Sequence, residues 1–173
     1  MNSIAVRLAR LDEYKTLAEC GRETFYETWK DYNTESDMQV YLKEAFDDKK
    51  IQKDLENSEL NTFYLAFDEE TLIGYAKVRN DRSPAEFDGD KALEIERVYV
   101  RTKYHGSPAG KLLMAACLDK AKIEKYDWIW LGVNIDNHRA IAFYYKYGFV
   151  KFGTKMFKLG DAEDQDYLMK LKM

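Results

Sequence analysis

The first third of the chain, to residue 57, combines one alternating hydrophobic segment with three helix-like segments. In SIAVRLA apolar and polar residues alternate, which predicts a first β-strand. Apolar residues then recur at three- and four-residue steps from Leu11 to about Trp29, the spacing of an amphipathic helix. After the polar break KDYNTESD, Thr34 or Ser36 can cap a second helix, and DDKKIQKDLEN is suited to a third, short one.

From residue 61 onward the chain combines strand-like and helix-like segments. NTFYLAF and TLIGYAKVRN flank the polar turn DEE and predict an antiparallel hairpin. A strand at 92–100, a helix at 109–125, the apolar strand WIWLGVN, a helix at 137–147 and the strand-like FVKFGTKMFKL and QDYLMKLKM follow. Strand, helix and strand in this order form a parallel unit, which places the loop at 104–110 at the carboxyl end of a strand, where open sheets bind ligands. No linker or repeat interrupts the pattern, so residues 1–173 are predicted to form a single domain.

The loop YHGSPAGKLL, at 104–113, has the features of an anion site at a helix N-terminus. Gly106 and Gly110 allow a phosphate to approach the backbone, Ser107 is a good N-cap, and Pro108 then falls at the first helical position. The loop matches neither GxGxxG nor a Walker motif. Taken alone, it is equally compatible with a plain capped helix start.

The segment NIDNHRAIAFYYKYGF predicts a short helix. Asn137 can cap it, Ala140, Tyr144 and Tyr147 fall on one side, and Gly148 can end it. An aromatic residue at helical spacing most often fills a core, so this spacing alone does not make Tyr144 catalytic.

Composition excludes several functional classes. Acidic residues exceed basic ones by 31 to 27, which argues against a nucleic-acid binder that depends on Lys and Arg. The two cysteines, Cys20 and Cys117, form no CxxC motif and are expected to be buried thiols, so neither a metal site nor a disulfide framework is predicted. Nowhere do 18 apolar residues run together, and the N-terminus lacks the apolar core of a signal peptide. We expect a cytoplasmic protein without a membrane or nucleic-acid partner.

Three separated motifs carry a family resemblance. The strand VYV, the loop YHGSPAGKLL and the segment LGVNIDNHRAIAFYYKYGF together resemble the GNAT superfamily of N-acetyltransferases. ETFYETW, FYLAF, LIGYAKV, LEIERVYV and LGDAEDQDYLMK resemble its PaiA-type spermidine/spermine branch. The resemblance implies an α/β (α+β) fold with a mixed, mostly antiparallel sheet of about six to seven strands, a central parallel pair and about four helices. It also implies acetyl-CoA as cosubstrate, no metal, and a homodimer as an alternative to a monomer.

The same resemblance implies roles for individual residues. The end of strand 92–100 would hold the pantetheine arm, and the loop would hold the diphosphate through its backbone N–H groups. Asn137 would touch the cofactor arm, and Arg139 and Lys146 could reach its phosphates. The implied cofactor-binding residues are Val98, Tyr99, Val100, His105, Gly106, Ser107, Pro108, Ala109, Gly110, Lys111, Asn137, Arg139 and Lys146. Tyr144 would be the general acid that protonates departing coenzyme A.

Two departures from the family motif concern the loop. His105 stands where the motif has Arg or Gln, and Pro108 replaces its central Gly and removes one N–H. The loss is at most about one hydrogen bond to a charged group, roughly 1.5–3 kcal/mol. We expect the loop still to bind the cofactor, with reduced affinity.

The sequence leaves alternatives for the proton acceptor and for the amine substrate. Glu96 resembles the base of polyamine acetyltransferases and is preferred, and Glu94 on the same strand face resembles that of histone-acetylating members. A water-mediated base and a purely structural role, in an ion pair with Arg97 or Lys91 or at a solvated edge, stay open. Two acidic connections would attract a cationic amine, with a polyamine as the leading candidate. They contain Asp31, Glu35 and Asp37, and Asp161, Glu163, Asp164 and Asp166.

Two other functions compete with polyamine acetylation. One is acetylation of a protein N-terminus or lysine, and the other is a non-catalytic module that binds acyl-CoA and senses it. Retention of Tyr144 argues against the second.

Overall fold

A computed structural model describes residues 3–159 and 162–173. Over these residues it contains seven strands and five α-helices. The strands are β1 Ile4–Leu8, β2 Asn61–Asp68, β3 Thr71–Arg79, β4 Ala92–Val100, β5 Trp128–Asn134, β6 Val150–Leu159 and β7 Ala162–Lys172. The helices are α1 Tyr14–Trp29, α2 Glu35–Ala45, α3 Asp48–Glu56, α4 Ala109–Ile123 and α5 His138–Lys146. No described helix is long and apolar enough to cross a membrane.

The strands form one mixed sheet in the order β1-β2-β3-β4-β5-β7-β6. Among the described strands only β4 and β5 are parallel, and every other neighbouring pair is antiparallel. The predicted fold class, with its central parallel pair, is confirmed. The five helices agree with the expected number of about four, and α3 is the third, short helix predicted from DDKKIQKDLEN. Its N-cap is Asp47, whose Oδ1 accepts the N–H groups of Lys49 and Lys50 at 3.0 and 3.1 Å.

The two faces of the sheet carry separate hydrophobic cores. Helix α4 covers one face with Leu113, Met114 and Cys117, all fully buried. Helices α1, α2 and α3 cover the other face, where Gly21 lets α1 approach Phe46 closely. A methyl group at Gly21 would come within 2.4 Å of that ring, so α1 needs glycine at this position.

The middle of the sheet opens because β4 and β5 stop pairing. Their register runs from Ala92 opposite Trp128 to Ile95 opposite Leu131 and ends there. Beyond Ile95, the edge of β4 that faces β5 has no strand partner among the described residues, while the other edge still pairs with β3. The divergence produces a cleft at the carboxyl ends of the two parallel strands.

The expected acidic loop before the last strand is largely part of that strand. Strand β7 begins at Ala162, so Glu163, Asp164 and Asp166 are strand residues. Alternation in a strand places Asp164 and Asp166 on one face. Asp161, predicted in the same group, lies outside the described residues.

Candidate active site

The cleft between β4 and β5 contains a cavity of about 200 Å³. Its walls come from α1, α2, β4, β5, α5, β6 and β7. Aromatic rings contribute one part of the wall, namely Phe25, Trp29, Tyr41, Tyr99, Tyr144 and Phe157. Charged side chains contribute another, namely Arg82, Glu94, Glu96, Arg97, Lys155, Asp164 and Asp166. The cavity thus combines acid, base and aromatic surfaces at one end of the parallel pair.

Glu94 is a buried carboxylate on the cavity wall, and its burial is poorly compensated by hydrogen bonds or cations. Its residue is 3% exposed, and its Oε2 atom has no hydrogen-bond partner among the described residues. The nearest cation is Arg82, whose Nη1 lies 3.9 Å from Oε2. Burial raises the pKa of Glu94, and the neighbouring Glu96 charge raises it further, whereas Arg82 opposes the shift. Such a carboxylate accepts a proton more readily than one with an ordinary pKa.

Glu96 has the opposite environment. Lys77 pairs with Arg97 and Val78 with Ile95, so Glu96 is an extra residue of β4 opposite no residue of β3. Its Oε2 lies 2.8 Å from Lys77 Nζ and 3.2 Å from Arg79 Nη1. Burial alone would raise the pKa of Glu96, but the Lys77, Arg97 and Arg79 charges outweigh it and lower the pKa to about 2. A carboxylate held this firmly in its ionised form is a weak base.

Tyr144 lies on the face of α5 that borders the cavity. Asn137, Ala140 and Tyr144 line it at three- and four-residue spacing. Asn137 caps the helix, with its Oδ1 accepting the Ala140 N–H at 3.1 Å, and Gly148 follows the helix with a φ of 88°. Burial raises the pKa of Tyr144, so the hydroxyl keeps its proton at neutral pH.

The loop before α4 forms a cradle of backbone N–H groups. The helix begins at Ala109, so Pro108, which has helical angles, is its N-cap and not its first helical residue as predicted. Ser107 Oγ accepts the Ala109 N–H at 3.3 Å and so still satisfies one N–H at the start of the helix. The N–H groups of Gly110 and Lys111 have no acceptor among residues 3–159 and 162–173. A methyl group on Gly106 or Gly110 would meet no described atom within 4 Å, and Gly106 has a φ of 87°. The cradle is open, as an anion site at the start of a 15-residue helix requires.

His105 links this cradle to α5. Its Nε2 lies 2.9 Å from the carbonyl oxygen of Val100 and 3.1 Å from Arg139 Nη2. Burial lowers the pKa of His105, the Arg139 charge lowers it further, and the hydrogen bond with Val100 acts in the opposite direction. Arg139 is therefore beside the cradle, whereas Lys146 is exposed in the last turn of α5, about 10 Å along the helix axis from Arg139.

A sequence model of the acetyltransferase (GNAT) family matches residues 22–149. The chain belongs to the GNAT family of acetyltransferases. Over 149 residues this acetyltransferase is 31% identical to an uncharacterised N-acetyltransferase of Lactobacillus delbrueckii subsp. lactis, covering 86% of each chain. It is 27% identical over 176 residues to the spermidine N(1)-acetyltransferase of Thermoplasma acidophilum, covering 98% of each chain.

Solved structures agree with the fold of this acetyltransferase. The PaiA N-acetyltransferase of Thermoplasma acidophilum in complex with coenzyme A superposes with a TM-score of 0.81 at 24% identity, covering 99% of each chain. The yncA protein of Salmonella typhimurium, solved with acetyl-CoA, superposes with a TM-score of 0.65 at 19% identity, covering 99% of this chain and 94% of that one. The predicted resemblance is confirmed, and the protein is an acetyl-CoA-dependent N-acetyltransferase of the GNAT type.

The acetyltransferase has surfaces that fit acetyl-CoA. The open cradle at Gly106 and Gly110 offers unbonded N–H groups to a diphosphate, and the free edge of β4 after Ile95 offers backbone groups to a pantetheine arm. Val98 and Tyr99 on that edge also line the cavity, as do Glu94 and Tyr144.

The sequence did not single out all the residues that the structure brings to the cavity. Lys155 and Arg82 line the cavity but were not predicted as site residues. Lys155 Nζ lies 4.0 Å from Oδ2 of Asp166, which was predicted. The alternation of acids in DAEDQDY could have indicated a strand face. Conversely, none of Asp31, Glu35 and Asp37 is among the described residues that line the cavity. Glu35 instead accepts hydrogen bonds from Tyr26 and Gln39 at 3.0 and 2.7 Å.

Proposed function

We propose that this acetyltransferase transfers the acetyl group of acetyl-CoA to a primary amine of a small cationic acceptor, with a polyamine such as spermidine or spermine as the leading candidate. The observation that carries the proposal is the cavity at the end of β4 and β5, where Glu94, Tyr144, acidic side chains and aromatic rings meet. The full-length similarity to a spermidine N(1)-acetyltransferase supports the choice of acceptor.

The proposed reaction is direct attack by the amine within a ternary complex. Glu94 takes the proton of the attacking nitrogen as the new C–N bond forms. Tyr144 gives its hydroxyl proton to the sulfur as the C–S bond breaks, and solvent then returns the Glu94 proton to Tyr144. Acetyl-CoA supplies the activated acyl group. Glu96, first preferred as the base, is given a structural role because three cations already surround it.

The cysteines favour direct attack over an acyl-enzyme intermediate. Cys117 and Cys20 are fully buried, and burial raises the pKa of each thiol to about 12. A nucleophilic cysteine needs an accessible thiolate. Neither residue lines the cavity, so neither is placed to receive the acetyl group.

The acceptor is proposed to lie against the acidic and aromatic parts of the wall. Two cations of the wall lie far from their carboxylates. The distance from Arg82 Nη1 to Glu94 Oε2 is 3.9 Å, and that from Lys155 Nζ to Asp166 Oδ2 is 4.0 Å. An ammonium group can compete for carboxylates paired so loosely. Asp164 has no cation within 4 Å among the described residues, and the rings of Trp29 and Tyr41 add a surface that attracts cations.

Release of the coenzyme A thiol, measured over a panel of amines, tests the acceptor. We expect turnover with spermidine or spermine and little with amino acids or with a lysine-containing peptide. If the peptide or another amine is acetylated and both polyamines are not, the polyamine assignment is wrong. Binding of coenzyme A without turnover of any amine would instead indicate the sensing module.

Two pairs of variants test the catalytic roles. Tyr144→Phe should lower kcat by about 10²- to 10⁴-fold and leave the Kd for coenzyme A unchanged, as expected for loss of a general acid. Tyr145→Phe is the control, because that adjacent residue is half exposed and does not line the cavity. Glu94→Gln should remove the acidic limb of kcat/KM, and Glu96→Gln should retain it. The reverse result would restore Glu96 as the base.

A further inference from the structure

Two buried polar atoms without partners lie at paired positions on the parallel strands. Glu94 of β4 is paired with Trp130 of β5. The two residues are 3% and 4% exposed, and neither Glu94 Oε2 nor Trp130 Nε1 has a hydrogen-bond partner among the described residues. A buried polar group left unpaired costs about 1–3 kcal/mol, so two neighbouring ones require an explanation.

The two atoms are chemically complementary. Paired residues of neighbouring strands point to the same face of the sheet, and the strands lie about 4.8 Å apart. The indole N–H only donates, and the ionised carboxylate only accepts. Since they do not bond directly, one water molecule is the simplest group that satisfies both, and the cavity that Glu94 borders gives such a water access.

Trp130 is the residue paired with Glu94 on β5, and its uncharged N–H donor has no other partner among the described residues. The β3–β4 connection covers both side chains, with Arg82 near Glu94 and Phe87 packed 6.4 Å from the Trp130 ring. Arg82 is half exposed and only approaches Glu94 Oε2 to 3.9 Å, which fixes the carboxylate weakly. A buried indole on a neighbouring strand is a more rigid anchor.

We propose that Trp130 is a positioning residue for acetyl transfer, holding the Glu94 carboxylate towards the acceptor amine through one water molecule bound to its indole N–H. This inference rests on the proposed role of Glu94 as the base. The alternative is that Trp130 only fills the core formed with Phe87 and Ala92.

The two roles differ in their effect on the titration of Glu94. Burial raises the pKa of Glu94, Glu96 raises it further, and Arg82, Lys155 and Arg79 lower it. A donor that binds the ionised carboxylate also lowers the pKa, so its removal should raise it. A residue that only fills space would leave the pKa where it is.

The test compares Trp130→Phe with Trp128→Phe. Both substitutions remove an indole N–H from the same strand face, and both rings pack against Phe87, but the Trp128 N–H donates to Asp90 at 2.8 Å, away from Glu94. The measurement is kcat/KM for the amine against pH at saturating acetyl-CoA. We expect Trp130→Phe to move the acidic limb upward by about one pH unit, the effect of losing one bond to a charged group. Trp128→Phe should leave the limb unmoved.

A second measurement does not depend on how the two Trp→Phe variants fold. The chain has three tryptophans, so the Trp130 indole N–H signal can be assigned by NMR in the unmodified protein. It should titrate with the pKa of the acidic limb and cease to do so in Glu94→Gln. A Trp130 signal that ignores this titration, or identical pH profiles for the two Trp→Phe variants, would overturn the proposal. If Glu94→Gln retains the acidic limb, the base assignment fails instead, so the two failures are distinguishable.

Discussion

The Lys77 ammonium lies 2.8 Å from Glu96 Oε2 and 2.8 Å from Asp54 Oδ2, with only 3% of the lysine side chain exposed. This contact joins α3 to the extra residue of β4, immediately after the point where β4 and β5 separate. A buried cation with two carboxylates holds that irregular part of the strand in place. Stability and the shape of the cavity are thereby linked.

The first prediction concerns stability against pH. Glu96 has a folded-state pKa of about 2, below its ordinary value of 4.5, so its contribution is fully present above pH 4.5 and is lost as the pH falls towards 2. The shift corresponds to about 3 kcal/mol. Urea unfolding should show this loss, and Glu96→Gln should flatten it. An unchanged pH dependence in Glu96→Gln would contradict the assignment.

Removal of the buried cation gives a second prediction. Lys77→Met should lower the free energy of unfolding at pH 7 by about 3–5 kcal/mol, because it leaves two carboxylates without their shared partner. Lys158→Met is the matched control. The Lys158 pair with Glu163 is exposed at 73% and 56% of the two side chains and should contribute less than about 1 kcal/mol. Equal effects in urea unfolding would show that the Lys77 contact is no stronger than a surface pair.

Pro108 provides a third prediction, on cofactor affinity. Pro108→Ala restores an N–H to the cradle while keeping a residue that accepts helical angles. Calorimetry should show coenzyme A binding about tenfold tighter, the effect of one added bond to a charged group. The control is Pro84→Ala, at the other proline of the chain, on the β3–β4 connection. If both variants bind coenzyme A like the parent, the Pro108 position does not face the diphosphate.

The sequence predicted the elements more fully than it predicted the cavity. The alternation in NTFYLAF and TLIGYAKVRN and the apolar run WIWLGVN gave strand limits within a residue or two of those observed, because local periodicity encodes which face is buried. The bulge at Glu96 depends on pairing with β3 and on Lys77, 19 positions earlier in the chain. Only the three-dimensional register shows that Glu94 and Glu96, two residues apart, differ in their ion pairs.

Gly132 supports a fourth prediction, on acceptor binding. A methyl group there would come within 2.9 Å of Lys155 Cε and 3.2 Å of Asp166 Oδ2. Gly132→Ala should displace the side chains of Lys155 and Asp166 with little loss of stability. KM for the amine should rise about tenfold, because the amine loses one charged contact, and coenzyme A binding should be unchanged. Gly153→Ala is the control, since its methyl group would meet Leu168 Cδ1 at an ordinary 3.5 Å. An unchanged KM in Gly132→Ala would exclude the pair from the acceptor site.

Arg139 and Lys146 provide the last prediction, because the resemblance gave both the same role and the structure separates them on one helix. Arg139 lies beside the cradle, with Nη2 3.1 Å from His105 Nε2, whereas Lys146 is exposed near the other end of α5. Arg139→Gln should weaken coenzyme A binding about tenfold or more, the cost of losing a bond between two charged groups, and should reduce its dependence on salt. Lys146→Gln removes the same charge from the same helix and should change the Kd by less than about twofold, because an exposed charge about 10 Å away is screened. The Kd of each variant is measured by calorimetry at low and at high salt. If Arg139→Gln and Lys146→Gln weaken coenzyme A binding equally, only net charge attracts the cofactor. If only Lys146→Gln weakens it, the phosphates lie at the far end of α5.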